Sequence, residues 1–145
     1  MSEELNQVER VRREKLEALQ ERGLEPYAYN YPRTHASADA RVLFEQAEAA
    51  DDLDENGHGA VVGVAGRIVS YRSHGKSAFA HLEDGAGRIQ VYFRRNVLGE
   101  EAYEALELAD LGDWVGVTGP LFRTRTGEVT VQADSWAMLA KSLRP

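Results

Sequence analysis

Apolar positions change their spacing along this chain, and the change divides it. Over residues 3–22, Leu5, Val8, Leu16 and Leu19 fall within about 80° of one another at the helical turn per residue. That stripe predicts an amphipathic helix stopped by Gly23. Residues 25–35, EPYAYNYPRTH, break the pattern, because Pro26 and Pro32 exclude a helix and leave this tyrosine-rich stretch extended. A second helix is expected from a cap at Ser37 or Asp39 to about Ala50. DDLDENGHG (51–59) then reads as a polar, mobile linker. From Ala60 the period becomes two. Strands are predicted at 60–71, 77–83 and 88–94, a short helix at 99–109, and strands at 113–122 and 128–139.

Five strands with one helix between the third and fourth is the order of an OB-fold, a Greek-key barrel. The expected class is mainly β: residues 1–58 form an N-terminal helical extension and linker, and 59–145 the barrel. Gly63 and Gly66 suit a sharp bend in the first strand, while Gly116 and Gly119 relieve crowding in the fourth.

One hairpin carries an odd face. With the turn at Gly85 and Ala86, His81 pairs with Gln90 and Phe79 with Tyr92. Ala78, Ala80, Leu82, Ile89, Val91 and Phe93 then share the opposite face. A surface of Phe, His, Gln and Tyr suits neither core nor solvent. The outward face of the second and third OB-fold strands is where oligonucleotides bind. There an exposed Phe79 offers a stacking platform worth about 1–3 kcal/mol per base, and the Gln90 amide can bond a base edge. The same residues admit plainer readings. Phe79 is then core in a shifted register, Gln90 a surface amide, His81 structural, and Tyr92 half-buried under Phe79.

Composition narrows the class. A hydrophobic content of 43% with 28% charged residues is that of an ordinary soluble domain. No apolar run approaches the roughly 20 residues of a membrane span, and the N-terminus resembles neither a signal nor a transit peptide. The absence of cysteine excludes disulfides and thiolate metal sites and fits a reducing cytoplasm. His35, His58, His74 and His81 are scattered over different elements. With no P-loop, metal-ligand cluster or nucleophile–base pair, neither a catalytic residue nor a metal site is expected. The net charge of −7 argues, by itself, against nucleic acid. Its distribution argues otherwise: acidic residues crowd 39–55 and 100–113, while Arg67, Arg72 and Lys76, and Arg123 and Arg125, form separate basic groups.

Several motifs carry a resemblance: PYAYNYPRTH, VAGRIVSYRSHGKSAFAHLED, GRIQVYF, DLGDWVGVTG, FRTRTGEVTV and LAKSLRP. From Arg12 to Pro145 the chain resembles the N-terminal anticodon-binding domain of bacterial class II lysyl-tRNA synthetases. The AGRI…R…GK…F frame is shared with aspartyl and asparaginyl relatives, whereas PYAYNYPRTH, FRTRTGE and KSLRP look like the lysyl branch. The resemblance implies that Phe79 stacks on an anticodon base and that Gln90 reads the middle uridine. It implies that Arg72 contacts the bases and that Glu128 accepts from uridine N3–H. Arg67, His81, Tyr92, Arg123 and Arg125 follow as second-tier RNA contacts. Without the resemblance, Glu128 reads as a turn residue and Arg72 as a strand-edge charge.

In that family a catalytic domain using ATP and magnesium follows the position of KSLRP, and the full enzymes are homodimers. This segment is therefore expected to bind lysine tRNA without itself activating an amino acid. Two other readings stay open: a free-standing OB-fold that binds tRNA or single strands, and a protein-interaction module built on the first helix and PYAYNYP.

Overall fold

The structure, a computed structural model, describes residues 2–21 and 31–142 and, in the first helix, the side chains of 7–15, 17 and 18. Gly23, residues 25–30 of the tyrosine-rich stretch, the side chains of Leu5, Leu16 and Leu19, and residues 143–145 lie outside that description.

Helices α1 (Ser2–Glu21) and α2 (Ser37–Ala49) precede strands β1 (Val61–His74), β2 (Ser77–Asp84), β3 (Gly87–Arg94), β4 (Trp114–Arg123), β5 (Val129–Gln132) and β6 (Ser135–Ala140). The strand order is β1-β2-β3-β5-β4-β6, and a β1–β4 pairing closes the sheet into a barrel. All pairings are antiparallel except β3–β5. This is the OB-fold expected from the strand order. Its interior is filled by alternate residues of each strand. Ala78, Ala80 and Leu82 of β2 and Ile89, Val91 and Phe93 of β3 are at most 2% exposed, and they meet Val64, Val117 and Leu121.

Two elements differ from the sequence reading. The single strand expected at 128–139 is bent in two. At the bend, Ala133 N–H donates to the Tyr92 carbonyl and Asp134 N–H to that of Thr118, both at 2.8 Å. β5 thus bridges β3 and β4, and β6 continues along β4. Gly119 permits the bend, since a Cβ there would collide with the Gln132 carbonyl. The helix expected at 99–109 begins earlier and is broken, because Gly99 sits at φ 90°. The pieces are α3 (Arg95–Leu98), α4 (Glu100–Glu104) and a 3₁₀ turn (Ala105–Leu108). They press Tyr103 and Leu106 onto the core, and Trp136 Nε1 donates to the Ala102 carbonyl at 2.9 Å.

The segments before the barrel are tied to it. Tyr31 lies where a Cβ on Gly116 would come within 2.5 Å of its ring, and its hydroxyl meets Thr118 Oγ1 at 2.6 Å. Thr34 N–H donates to the Gly63 carbonyl, and Gly63 N–H donates back to Thr34 Oγ1, both at 2.9 Å. Gly63 therefore seats this strap, since a Cβ there would lie 2.6 Å from the Pro32 carbonyl oxygen. Phe44 and Ala40 of α2 are buried in the barrel core. The polar stretch 51–59 is closed by Asp54, which accepts from the N–H groups of Asn56 and His58 at 2.8 Å. α1 is fastened by Lys15, 2.7 Å from Asp110, and by Arg12, which donates to Ser142. Asp110 and Asp113 also hold Lys141, whose side chain is fully buried. A buried ammonium persists only with such partners.

The N-terminus of α2 corrects the capping expectation. The cap position is Ala36, and neither Ser37 nor Asp39 caps it with its side chain. Asp84, from the end of β2, does the work across the fold. It accepts from Ser37 N–H at 2.8 Å and Ser37 Oγ–H at 2.7 Å, and from the Ala86 and Gly87 N–H groups of the hairpin turn. Burial pushes the Asp84 carboxyl up, but these four hydrogen bonds outweigh it and hold the group below its ordinary value. The unfolded chain therefore takes up this proton first, so the contribution of Asp84 is present above the ordinary carboxyl range and lost as pH falls below it. Asp84→Asn is expected to lower stability at neutral pH by about 1.5–3 kcal/mol and to flatten the acid side of the stability–pH curve. Urea denaturation across that range checks both, and an unchanged acid slope would show that Asp84 is not the titrating anchor.

Candidate nucleic-acid interface

The register of β2 and β3 is the one the alternation predicts. Phe79 lies opposite Tyr92, and His81 opposite Gln90, with Ala80–Val91 and Leu82–Ile89 on the core face. The plainer reading of Phe79 as barrel core fails on burial, since it is half-exposed while its neighbours Ala78 and Ala80 are sealed inside.

β1 reaches the same face through an irregularity. Val62, Val64 and Ile68 point inward at even positions, so simple alternation would turn Arg72 inward too. A bulge between Ile68 and Ser70 shifts the pairing by one. Beyond it Tyr71 pairs with the inward Ala80, while Ser70 pairs with His81 and Arg72 with Phe79. Two outward rows result: Arg72–Phe79–Tyr92 and Ser70–His81–Gln90.

The first row is a stack. The rings of Phe79 and Tyr92 are 4.5 Å apart at 21°, and Tyr92 continues to Phe122 at 6.1 Å. The Arg72 guanidinium lies over Phe79, 5.3 Å from its centroid. The second row is a hydrogen-bond chain. His81 Nε2 meets Glu128 Oε1 at 2.7 Å, and Ser70 Oγ meets His81 Nδ1 at 2.7 Å. A carboxylate only accepts, so Nε2 carries the proton, and in the neutral ring Ser70 donates to Nδ1. Glu128 is itself held by a tight turn, in which Thr124 N–H donates to its carbonyl and Gly127 N–H to that of Thr124.

Between the rows opens a cleft of about 330 Å³, lined by Arg72, Phe79, His81, Gln90 and Glu128 together with Ser70, Tyr71 and Thr126. All four leading candidates from the sequence meet there. Gln90 is the unusual member: only 4% exposed, it has no side-chain hydrogen bond to any described residue. Its amide group borders the cleft, with its bonding capacity unused within the described protein.

The second-tier residues divide. His81 is central and Tyr92 extends the stack. Arg67 lies off the cleft with its guanidinium 5.9 Å from the Trp114 ring. Arg123 is engaged with protein: its Nε and Nη2 bind the Glu48 carboxylate at 3.0 and 2.7 Å, and its Nη1 binds the Gly127 carbonyl at 2.7 Å. Those bonds from Arg123 hold Glu48 below its ordinary value. Arg125 is exposed on the turn and is not part of the cleft wall. Ser70 and Thr126 were not anticipated. Alternation read from β2 does not reveal Ser70, because the bulge intervenes.

The tRNA anti-codon family, an OB-fold nucleic acid binding domain, matches residues 62–139, which contain the whole cleft. The chain belongs to this family. It is also 47% identical over 143 residues to a lysine–tRNA ligase of Enterococcus faecalis, covering 99% of the chain and 28% of the relative. Lysine–tRNA ligases of Carboxydothermus hydrogenoformans and Pelotomaculum thermopropionicum are 46% and 48% identical over the same 99% of the chain, which covers 27% and 26% of them. The chain thus spans about a quarter of the length of these curated relatives. Among the described residues no helix is long and apolar enough to cross a membrane, and no group of His, Asp and Glu is placed to hold a metal ion.

Phe79 stands outside the barrel, so its removal should be mild. Phe79→Ala is expected to cost about 1 kcal/mol, the worth of its pairing with Tyr92, against the about 3–5 kcal/mol typical of a core phenylalanine. Equilibrium urea denaturation distinguishes the two, and a core-sized loss would contradict the assignment.

Proposed function

We propose that this chain is the anticodon-binding part of a lysine–tRNA ligase and that the β1–β3 cleft reads a uridine-rich anticodon. The observation that carries the reading is the Gln90 amide, which opens onto the cleft without a hydrogen bond to a described residue, beside a stacked aromatic pair. A base placed on that platform gives the amide the bonds it lacks. Arg72 swings from Phe79 as the base arrives and turns its guanidinium toward the base carbonyls. Glu128 offers the oxygen that His81 leaves free to a uridine N3–H. Cytidine has an acceptor at that nitrogen and would set it against the carboxylate. A site built around one hydrogen bond rejects the analogue that lacks the donor.

In this reading the barrel from residue 59 onward is the RNA-binding unit, and residues 1–58 brace it. Activation of lysine with ATP and magnesium falls to the part of the ligase that this chain does not span, in a homodimeric, cytoplasmic enzyme. The relatives named above support the assignment, because nearly the whole chain aligns with them.

The experiment is a set of binding titrations with anticodon stem-loops differing only in the middle base. Uridine should bind more tightly than cytidine. Glu128→Gln should narrow the gap, because an amide donates as well as accepts. Phe79→Ala should weaken every stem-loop by about 1–3 kcal/mol. Equal affinity for all anticodons would reduce the chain to a general single-strand binder.

A further inference from the structure

A second, larger cleft of about 690 Å³ adjoins the aromatic stack at Tyr92. Tyr92 forms part of its wall, and Lys76, Arg94 and Arg95 line it together with His74 and Asn96. Lys76 comes from the β1–β2 turn, Arg94 ends β3 and Arg95 opens α3. They are brought together by the pairing of Ser77 with Arg94 and by Arg95 N–H donating to the Lys76 carbonyl at 2.9 Å. Three cations thus stand against one acid, Glu100, in a chain whose net charge is −7.

None of the three has an ion-pair partner among the described residues. Two other cations near the RNA face are ion-paired, Arg88 with Glu83 and Arg123 with Glu48. Arg95 is held in place by Tyr103, whose ring lies 5.1 Å from its guanidinium, while its buried Nε has no hydrogen-bond partner. An uncompensated group of cations repels itself and is stabilised by an anion. The anion must suit a site continuous with a base-stacking face, and a nucleic-acid strand is a line of phosphates attached to stacking bases.

We propose that this cleft is a backbone-phosphate site for the RNA strand leaving the base-reading cleft, with Lys76 and Arg94 as the charge contacts and Arg95 as the packed wall behind them. It rests on the anticodon reading for the identity of the strand, but it predicts a separate kind of effect. Phosphate contacts position an RNA without reading it, whereas Gln90 and Glu128 read without adding positive charge. The cleft sets affinity and its salt dependence, and the neighbouring one sets base choice.

The test compares the wild-type chain, a Lys76→Gln/Arg94→Gln double variant and Glu128→Gln, each titrated over a salt series with stem-loops carrying uridine or cytidine in the middle. Lys76 and Arg94 are exposed, so the melting temperature should hold. The slope of log affinity against log salt should become shallower by roughly 1.4 in the double variant, at about 0.7 per single-strand phosphate. Its preference for uridine should stay intact, while Glu128→Gln should change the preference and leave the slope alone. An unchanged slope with preference retained overturns the phosphate site but not the anticodon reading, and leaves the cleft to an acidic protein partner. A shallower slope without base preference in the wild type upholds the site and overturns the anticodon reading. No RNA binding by the wild type at low salt overturns both.

Discussion

The register of the β2–β3 hairpin is the constraint on which the rest depends. A slip of one residue would turn one strand over, sending Phe79 and His81 or Gln90 and Tyr92 into the barrel and exposing Leu82 or Ile89 and Val91 to water. Two independent forces prevent it. Burial of the apolar face acts along the strands, and the Asp84 carboxylate fixes the turn by accepting from Ala86 and Gly87. Because the same carboxylate receives Ser37, the hairpin register and the docking of α2 are set together. α2 in turn holds Arg123 through Glu48, and Arg123 holds the turn that presents Glu128. The helical extension therefore reaches the candidate site through a short chain of ionic hydrogen bonds.

The outward face shows why such a scaffold is needed. Its members are unusual for a free surface: an amide that opens onto a cleft without a protein partner, a phenylalanine half in water, and a guanidinium resting on that ring. Each is a local inconsistency with ordinary folding rules, and such inconsistencies gather at functional sites. The His81–Glu128 pair is the exception, since it is already satisfied. It fixes the carboxylate before any ligand arrives, which lowers the ordering cost of binding.

Much of this was legible in the sequence, for identifiable reasons. Period-two alternation gave the hairpin and its pairing, because one face is wholly apolar and the turn residues are unambiguous. The strand order alone gave the barrel. The bend at Ala133–Asp134 was not legible, because it comes from closing the barrel, and the four-residue helix before Gly99 was missed because it is too short to show a helical period. Arg72 was reached only through family resemblance, since alternation along β1 puts it on the core face and only the bulge after Ile68 turns it outward. The pairing of Arg123, expected as a second-tier RNA contact, was not legible, because only the docking of α2 brings Glu48 onto it.

The central claim is that one face of the barrel, the outward side of β1–β3 with the Glu128 turn, receives the anticodon. An amide-resolved NMR titration with a lysine-anticodon stem-loop tests it most directly. The account predicts the largest shifts at Phe79, His81, the Gln90 side-chain amide and the 124–128 turn, with Leu111 and Trp114 little affected. Shifts centred on Leu111 and Trp114, with the Gln90 side chain unmoved, would contradict it.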